Sequence, residues 1–224
     1  MNLSFSEENY LKAIWHLSED GRKSVGTNEL AARLGTAPAS ITDMVKKLSS
    51  KKLVRYEPYQ GVKITDKGSS GALLVIRKHR LWETFLVQKL GFQWDEVHEV
   101  AEQLEHIRSD ELINKLDDFL GRPAFDPHGH FIPDRNGRFQ QVNRSPLSSL
   151  DTDVLAVVGS IRNGTPELLQ YLSRIGIHIG VTIKITERRS FDGSLEIVVD
   201  RKNPVVISRE VSQNIFITDH ADES

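Results

Sequence analysis

Near the start of the chain, apolar residues recur at the three- and four-residue spacing of α-helices in three successive segments. The first is the run ENYLKAIWHL, which follows Ser4 and Glu7 at the spacing of a capping box. The second begins with Thr27 as its N-terminal cap and ends at Gly35, where a left-handed C-terminal cap is expected. The third begins at Pro38, because the missing amide hydrogen of proline costs nothing in a first turn.

The hydrophobic pattern after the third helix predicts a hairpin, a second helical region, a linker and a β-rich region. Two short alternating runs around Gly61 predict a β-hairpin, and three helical segments follow between about Gly71 and Leu120. The stretch RPAFDPHGHFIPDRNGRF breaks every periodicity and predicts a linker. Beyond it, five short strand-like runs and one helix, capped at Thr165 with Pro166 in its first turn, predict a small β-barrel.

These elements predict a mainly α protein with β structure and four regions. We expect a winged helix-turn-helix domain over 1–70, a helical dimerisation domain over 71–124, a linker over 125–147 and the small barrel over 148–224.

Composition restricts the chemistry that the chain can perform. It has no cysteine, so a bound metal must be held by nitrogen and oxygen. The net charge of -2 hides two opposed segments: ten Lys/Arg against four Asp/Glu over 22–67, and ten Asp/Glu against three Lys/Arg over 95–126. The first segment suits phosphate and the second suits a cation. The start of the chain lacks the pattern of a signal peptide and no long apolar run follows, so we expect a cytoplasmic protein that does not enter membranes.

The basic segment has the plan of a DNA-reading surface. Helix, tight turn, helix and basic hairpin form a winged helix-turn-helix, whose second helix enters the major groove by its N-terminal residues. The positions expected to face the groove are Ala37, Pro38, Ala39, Ser40, Thr42, Asp43 and Lys46. Lys47 is expected to contact DNA phosphate. Small side chains there favour readout through thymine methyl groups, water and DNA shape. The alternative is a protein-interaction module whose lysines form an ordinary solvated face.

The acidic segment offers ligands for a cation. His79 and Glu83 are four residues apart on one predicted helix. On the next helix the spacing predicts one face that carries His98, Glu102, Glu105 and His106. Imidazole with carboxylate suits Mn(II), Fe(II), Co(II) or Zn(II), and the excess of carboxylates favours the harder ions. The alternative is an amphipathic helix whose polar face contains histidines by chance.

Two other interpretations of these histidines and carboxylates are less consistent with the sequence. His128 and His130 could ligate a metal, but a turn at Pro127 and Gly129 explains them without one and is the favoured interpretation. A metal-dependent oxidase would need Glu-x-x-His on each of two helices, and the sequence lacks that spacing, so we expect no enzyme.

The order of winged helix, RKHRLWE, VHEVAEQLEH and PHGHFIP resembles the diphtheria toxin repressor and manganese transport regulator family along the whole chain. The resemblance implies a homodimeric repressor that binds a double-stranded DNA operator near metal-uptake genes. It also implies that the C-terminal barrel is SH3-like, of the FeoA type.

The same resemblance implies two metal sites. An ancillary site would use His79, Glu83 and His98, with Glu167 from the C-terminal domain. A primary site would use Glu102, Glu105 and His106, with Asn9 from the first helix. Because the iron-type members carry cysteine at the position of Glu102, this carboxylate favours Mn(II) over Fe(II), while Zn(II) or Co(II) would substitute in vitro. The alternative within this family is a regulator with structural metal sites that binds DNA without a metal response.

Overall fold

The computed structural model describes residues 3–57, 60–138, 144–162 and 164–219. The chain forms two compact units. The first contains residues 1–82, 101–119 and 132–140, and the second contains 83–100, 120–131 and 141–224.

The first unit begins with a helix-turn-helix. Helices α1 (Phe5–Leu17), α2 (Thr27–Leu34) and α3 (Pro38–Ser50) follow in order. The predicted capping box is present, since Ser4 accepts from the Glu7 amide and Glu7 accepts from the Ser4 amide. Gly35 is left-handed at φ 59°, as predicted, but Gly26 rather than Thr27 is the N-terminal cap of α2. Three helix starts predicted from spacing are therefore confirmed to within one residue.

The wing is a two-stranded antiparallel hairpin of β1 (Val54–Glu57) and β2 (Gly61–Ile64). Its inner face joins the core that α1, α2 and α3 form around Leu11, Ile14, Leu30 and Ile41. The hairpin prediction is confirmed, with Arg55 opposite Lys63 in the register.

Three further helices follow the wing: α4 (Asp66–Leu90), α5 (Val97–Leu104) and α6 (Asp110–Phe119). The α4 guanidinium of Arg77, almost fully buried, donates to Asp117 of α6 at 2.7 Å, an ion pair within the first unit. Because α5 ends at Leu104, Glu105 and His106 lie in the turn after it rather than on a shared helix face with His98. That part of the sequence prediction is wrong. None of the described helices is long and apolar enough to cross a membrane.

The second unit is built on one antiparallel sheet. Its elements are β3 (Ser145–Pro146), a 3-10 turn (Leu147–Ser149), β4 (Leu155–Ile161), α7 (Pro166–Arg174), β5 (Thr182–Arg188), β6 (Leu195–Val199), β7 (Val205–Ile207), α8 (Arg209–Asn214) and β8 (Ile215–Asp219). All five predicted strands and the helix capped by Thr165 are confirmed. The strand order is β3-β8-β4-β5-β6-β7, and no pairing between β3 and β7 closes it within the described residues. The predicted barrel is thus corrected to an open six-stranded sheet.

The core of the second unit lies between the sheet and α7. Alternate strand residues such as Val158, Ile183 and Ile197 are fully buried together with Leu169 and Leu172 of α7. Trp94 belongs to the same core and donates its indole N–H to Ser173 Oγ at 2.9 Å. This contact fixes the segment before α5 on the sheet domain.

Candidate metal centres and nucleic-acid interface

The exposed surface of α3 is the candidate nucleic-acid interface. The buried stripe of the helix takes Ile41, Val45 and Leu48. Of the residues predicted to contact DNA through the groove or through phosphate, Thr42 is half-buried and the others are exposed: Ala37, Pro38, Ala39, Ser40, Asp43, Lys46 and Lys47. Thr42 Oγ1 donates back to the Pro38 carbonyl at 3.2 Å. The small residues therefore form the accessible N-terminal end of the helix.

Two lysines of this surface are already paired inside the first unit. Glu7 Oε1 lies 3.2 Å from Lys47 Nζ and 2.7 Å from Lys51 Nζ, and the Glu7 side chain is only 1% exposed. Burial raises the pKa of Glu7, but the bonds from Lys51, the Ser4 amide and Lys47 outweigh it and lower the pKa from 4.5 to about 2. Glu7 is thus held as a carboxylate that pairs with two lysines of α3 and its C-terminal end.

The first-unit cluster consists of Glu8, Lys12, His79, Glu102, Glu105 and His106. At its centre Glu105 is fully buried. Lys12 Nζ donates to both Glu105 oxygens at 2.8 Å, and His79 Nδ1 lies 2.6 Å from Oε2. Burial raises the pKa of Glu105, but the His79 hydrogen bond and the nearby charges of Lys12 and His79 outweigh it and lower the pKa. Glu105 is therefore held as a carboxylate.

His106 is oriented in this cluster by a carboxylate from α1. Its Nδ1 lies 2.5 Å from Glu8 Oε2. A carboxylate oxygen only accepts hydrogen bonds, so in this contact the imidazole Nδ1 carries the hydrogen and donates to Glu8. The lone pair of a neutral ring then lies on Nε2, which is 3.6 Å from Glu105 Oε1. Histidines that ligate metals usually donate their other N–H to a carboxylate in this way.

The donor set of this cluster fits a divalent cation. His106 Nε2 is buried and has no hydrogen-bond partner among the described residues. A buried polar atom without a partner costs free energy, and a cation between Nε2 and the Glu105 oxygens would remove that cost. The nitrogen and oxygen donors suit Mn(II) or Fe(II).

The residue of α1 that reaches the first-unit cluster beside His106 is not the one predicted from the sequence. Asn9 is half-buried on α1, whereas its neighbour Glu8 provides the carboxylate that meets His106. Glu102 is 64% exposed at the cluster edge, 3.7 Å from Lys12 Nζ. Sequence reasoning missed Glu8, and it did not expect Lys12 to reach Glu105. Glu8 and Lys12 lie one helical turn apart, and this spacing was the available signal.

The second-unit cluster consists of Glu83, His98, Asp126, His128 and His130. Glu83 is 1% exposed, and its Oε1 lies 2.7 Å from His98 Nδ1. The rings of His98 and His128 are stacked with centroids 4.5 Å apart. Ligand atoms of Asp126, His128 and His130 all lie within 4.8 Å of one another. For the last two histidines, sequence reasoning favoured a turn over metal ligation.

Asp126 organises the loop that carries these histidines. Its Oδ1 accepts from the amides of His128 and His130 at 2.8 and 2.9 Å. Gly129 between them has φ 80°, and a Cβ there would lie 2.0 Å from the Gly159 carbonyl oxygen. Only glycine lets the loop pack this closely against β4. The turn predicted from Pro127 and Gly129 thus exists, and it also gathers metal-ligand side chains.

His128 presents one nitrogen to the two acids of this cluster. Its Nε2 lies 2.8 Å from the Trp94 carbonyl, which only accepts, so Nε2 carries the hydrogen. The other nitrogen, Nδ1, lies 3.7 Å from Glu83 Oε2 and 4.0 Å from Asp126 Oδ1. Burial lowers the pKa of His128, but the two carboxylates outweigh burial and raise it. Nδ1 therefore needs a proton or a metal ion between it and these acids.

Glu167, the predicted ligand from the C-terminal domain, lies exposed in the first turn of α7. Bonds from its own backbone amide and from the Thr165 hydroxyl lower its pKa. The loop tip at 58–59 and the linker residues 139–143, both within regions predicted from the sequence, lie outside the described residues.

Three family models match the chain. The iron-dependent repressor N-terminal DNA-binding domain matches residues 2–62, and the iron-dependent repressor metal-binding and dimerisation domain matches 65–134. The FeoA domain matches residues 145–219.

Individual relatives agree with these matches. A solved structure of a manganese-dependent transcriptional repressor in complex with manganese is 34% identical with a TM-score of 0.87, covering 95% of this chain and 99% of that one. The diphtheria toxin repressor of Corynebacterium efficiens is 29% identical over 188 residues, 80% of this chain and 81% of that protein. The iron-dependent repressor IdeR of Mycobacterium tuberculosis H37Rv is 33% identical over 126 residues, 56% of this chain and 54% of that protein.

Proposed function

Because the chain belongs to the iron-dependent repressor family, which includes the diphtheria toxin repressor, we propose that it represses transcription in response to Mn(II), with Fe(II) as the second candidate metal. The absence of cysteine and the carboxylate-rich first-unit cluster favour the harder ion. The target would be a double-stranded operator of metal-uptake genes, bound by a homodimer in the cytoplasm.

The observation that carries this proposal is the contact between Glu8 and His106, 98 residues apart in the chain. Glu8 belongs to α1 of the winged helix, and His106 follows α5 in the matched metal-binding region. Glu105 and His106 would hold the metal, with Glu102 and Asn9 as further ligands, and Glu8 would orient His106. A bound divalent cation would supply the positive charge that draws these carboxylates together.

The same helix leads to the DNA-facing surface. Glu7, beside Glu8 on α1, pairs with Lys47 and Lys51 of α3. Anchoring α1 at its Glu8 side would therefore fix the orientation of α3. A change in DNA affinity requires that the metal bind the DNA-competent arrangement more tightly than the other.

The second-unit cluster is the proposed ancillary site. Glu83, His98, Asp126 and His128 would hold a second ion there, with His130 at its edge. Supporting this assignment, His128 Nδ1 is buried with no hydrogen-bond partner among the described residues. His79 and Glu167 stay predicted ligands of this site.

The test is a DNA-binding titration with a duplex selected from a random-sequence library in the presence of Mn(II). Fluorescence anisotropy at constant salt would compare chelator, Mn(II), anaerobic Fe(II) and Zn(II), because phosphate contacts alone change affinity steeply with salt. We expect tight binding only with metal, and loss of that response in His106→Ala with the dimer intact. Equal affinity of the wild-type protein in chelator and in Mn(II) would refute metal control.

One observation favours a second candidate, a winged-helix regulator that binds DNA without metal. Lys12 of α1 already bridges to Glu105, so an internal cation joins these segments. The chelator arm of the same titration separates the two functions.

A further inference from the structure

Lys12 of α1 brings an ammonium group into the first-unit cluster. Its ammonium nitrogen lies 2.8 Å from each of the two oxygens of Glu105, so it donates to both of them. The Glu105 side chain is fully buried, and that of Lys12 is 16% exposed. The pair is shielded from solvent and is therefore screened weakly by salt.

A metal ion and this ammonium need the same carboxylate oxygens. A cation that binds Glu105 and His106 Nε2 would lie beside Lys12 Nζ, and two positive charges in a buried site repel each other strongly. Either Lys12 leaves Glu105 or the metal binds with a large penalty.

The structure gives Lys12 a second partner. Glu102 Oε1 lies 3.7 Å from Nζ and belongs to a side chain that is 64% exposed. A lysine stem has four flexible carbons, so a small movement can carry the ammonium away from the buried acid toward the solvent-exposed edge of the cluster.

We propose that Lys12 is a tethered cation that competes with the divalent metal for Glu105 and so sets the metal affinity of the first-unit cluster. This inference rests on the proposed function, because it assumes that Glu105 and His106 hold the metal. It assigns Lys12 two opposite effects: it stabilises the metal-free protein, and it weakens metal binding.

The experiment compares the wild-type protein with Lys12→Gln, which can still donate to Glu105 but carries no charge. Mn(II) binding to the full chain would be measured by isothermal titration calorimetry, and thermal unfolding would be measured in chelator. Lys12→Arg keeps the charge, and Lys115→Gln is the matched control because Lys115 is 74% exposed and pairs with a surface acid, Glu111.

For Lys12→Gln we expect Mn(II) affinity at the first-unit cluster to rise by roughly tenfold or more, together with a lower unfolding temperature in chelator. Lys12→Arg and Lys115→Gln should both keep affinity at or below the wild-type value. Unchanged or weaker Mn(II) binding by Lys12→Gln, while the wild-type protein binds Mn(II), would overturn the competition but leave the proposed function standing. Absence of Mn(II) binding by the wild-type protein would overturn both. If Lys12→Gln does not fold, Lys12→Met provides the same comparison, judged by the same two outcomes.

Discussion

The two histidine–carboxylate clusters differ in what balances their buried acids. In the first-unit cluster an ammonium, Lys12, covers both oxygens of Glu105. In the second-unit cluster the imidazoles of His98 and His128 face Glu83. An imidazole can exchange a proton for a metal ion without leaving its position, whereas an ammonium must move away.

We infer from this difference that the two clusters have different roles. The second-unit cluster can accept a metal with its side chains in place, so we expect it to fill first and to act as a structural site. The first-unit cluster must exchange one cation for another, and α1 carries both Lys12 and Glu8. We therefore expect the regulatory response to arise there.

The largest expected effect comes from removing the buried acid of the first-unit cluster. Glu105→Gln leaves Lys12 and His79 without their buried counter-charge, and breaking such a pair costs about 3 kcal/mol. Urea unfolding in chelator measures this loss, and the Mn(II) response of DNA binding should disappear. Glu111→Gln, at an exposed pair with Lys115, should cost less than about 1 kcal/mol. Equal costs for the two variants would contradict the central place given to Glu105.

A smaller effect is expected from the second-unit cluster. His128→Asn removes the nitrogen that faces Glu83 and Asp126, so the rise in unfolding temperature on adding Mn(II) should shrink. The Mn(II) dependence of DNA binding should persist, because the first-unit cluster is untouched. Exposed His178 provides the control variant His178→Asn. Complete loss of the DNA response in His128→Asn would reverse the roles given to the two clusters.

Local sequence signals predicted the fold well where they act over a few residues. The capping box at Ser4, the left-handed Gly35 and the Thr165 cap all appear in the structure as expected. The family matches confirm the resemblance to metal-dependent repressors. Periodicity failed at Leu104, where α5 ends, because helical spacing alone does not locate a C-terminus. It also could not show whether the C-terminal strands close into a barrel, since closure depends on pairing between distant strands.

The side-chain partners in the clusters were beyond sequence reasoning for a related reason. Lys12 is 93 residues from Glu105, and Glu8 is 98 residues from His106. Spacing identifies residues that share one face of a helix. It does not show which residues of a distant helix pack against that face. The sequence also could not show that the loop at Asp126 gathers metal-ligand side chains. Asp, His and Gly residues are common in turns, and here the same residues both form the turn and carry the candidate ligand atoms.

The smallest expected effect on metal response comes from Glu7, the neighbour of Glu8 on α1. Glu7→Gln should keep the capping box, because glutamine also accepts from the Ser4 amide. The substitution should also release Lys47 and Lys51 from Glu7, so that both can contact DNA phosphate. The slope of log affinity against log salt concentration should then become more negative by about one to two. Anisotropy titrations at several salt concentrations measure this slope, and the fold change between chelator and Mn(II) should stay at the wild-type value.

The pH dependence of the free energy of unfolding provides a second test of the role of Glu7. The pKa of Glu7 is lowered from 4.5 to about 2 in the folded protein, so its stabilising contribution is complete above pH 4.5 and is lost as the pH falls through about 2. Wild type should therefore be more stable than Glu7→Gln at neutral pH, and the gap should close between pH 4.5 and 2 in urea unfolding. A matched Glu8→Gln variant should change the Mn(II) response instead, because Glu8 faces His106. If Glu7→Gln abolished the metal response as fully as Glu8→Gln, the two acids of α1 would not have the separate roles proposed for them.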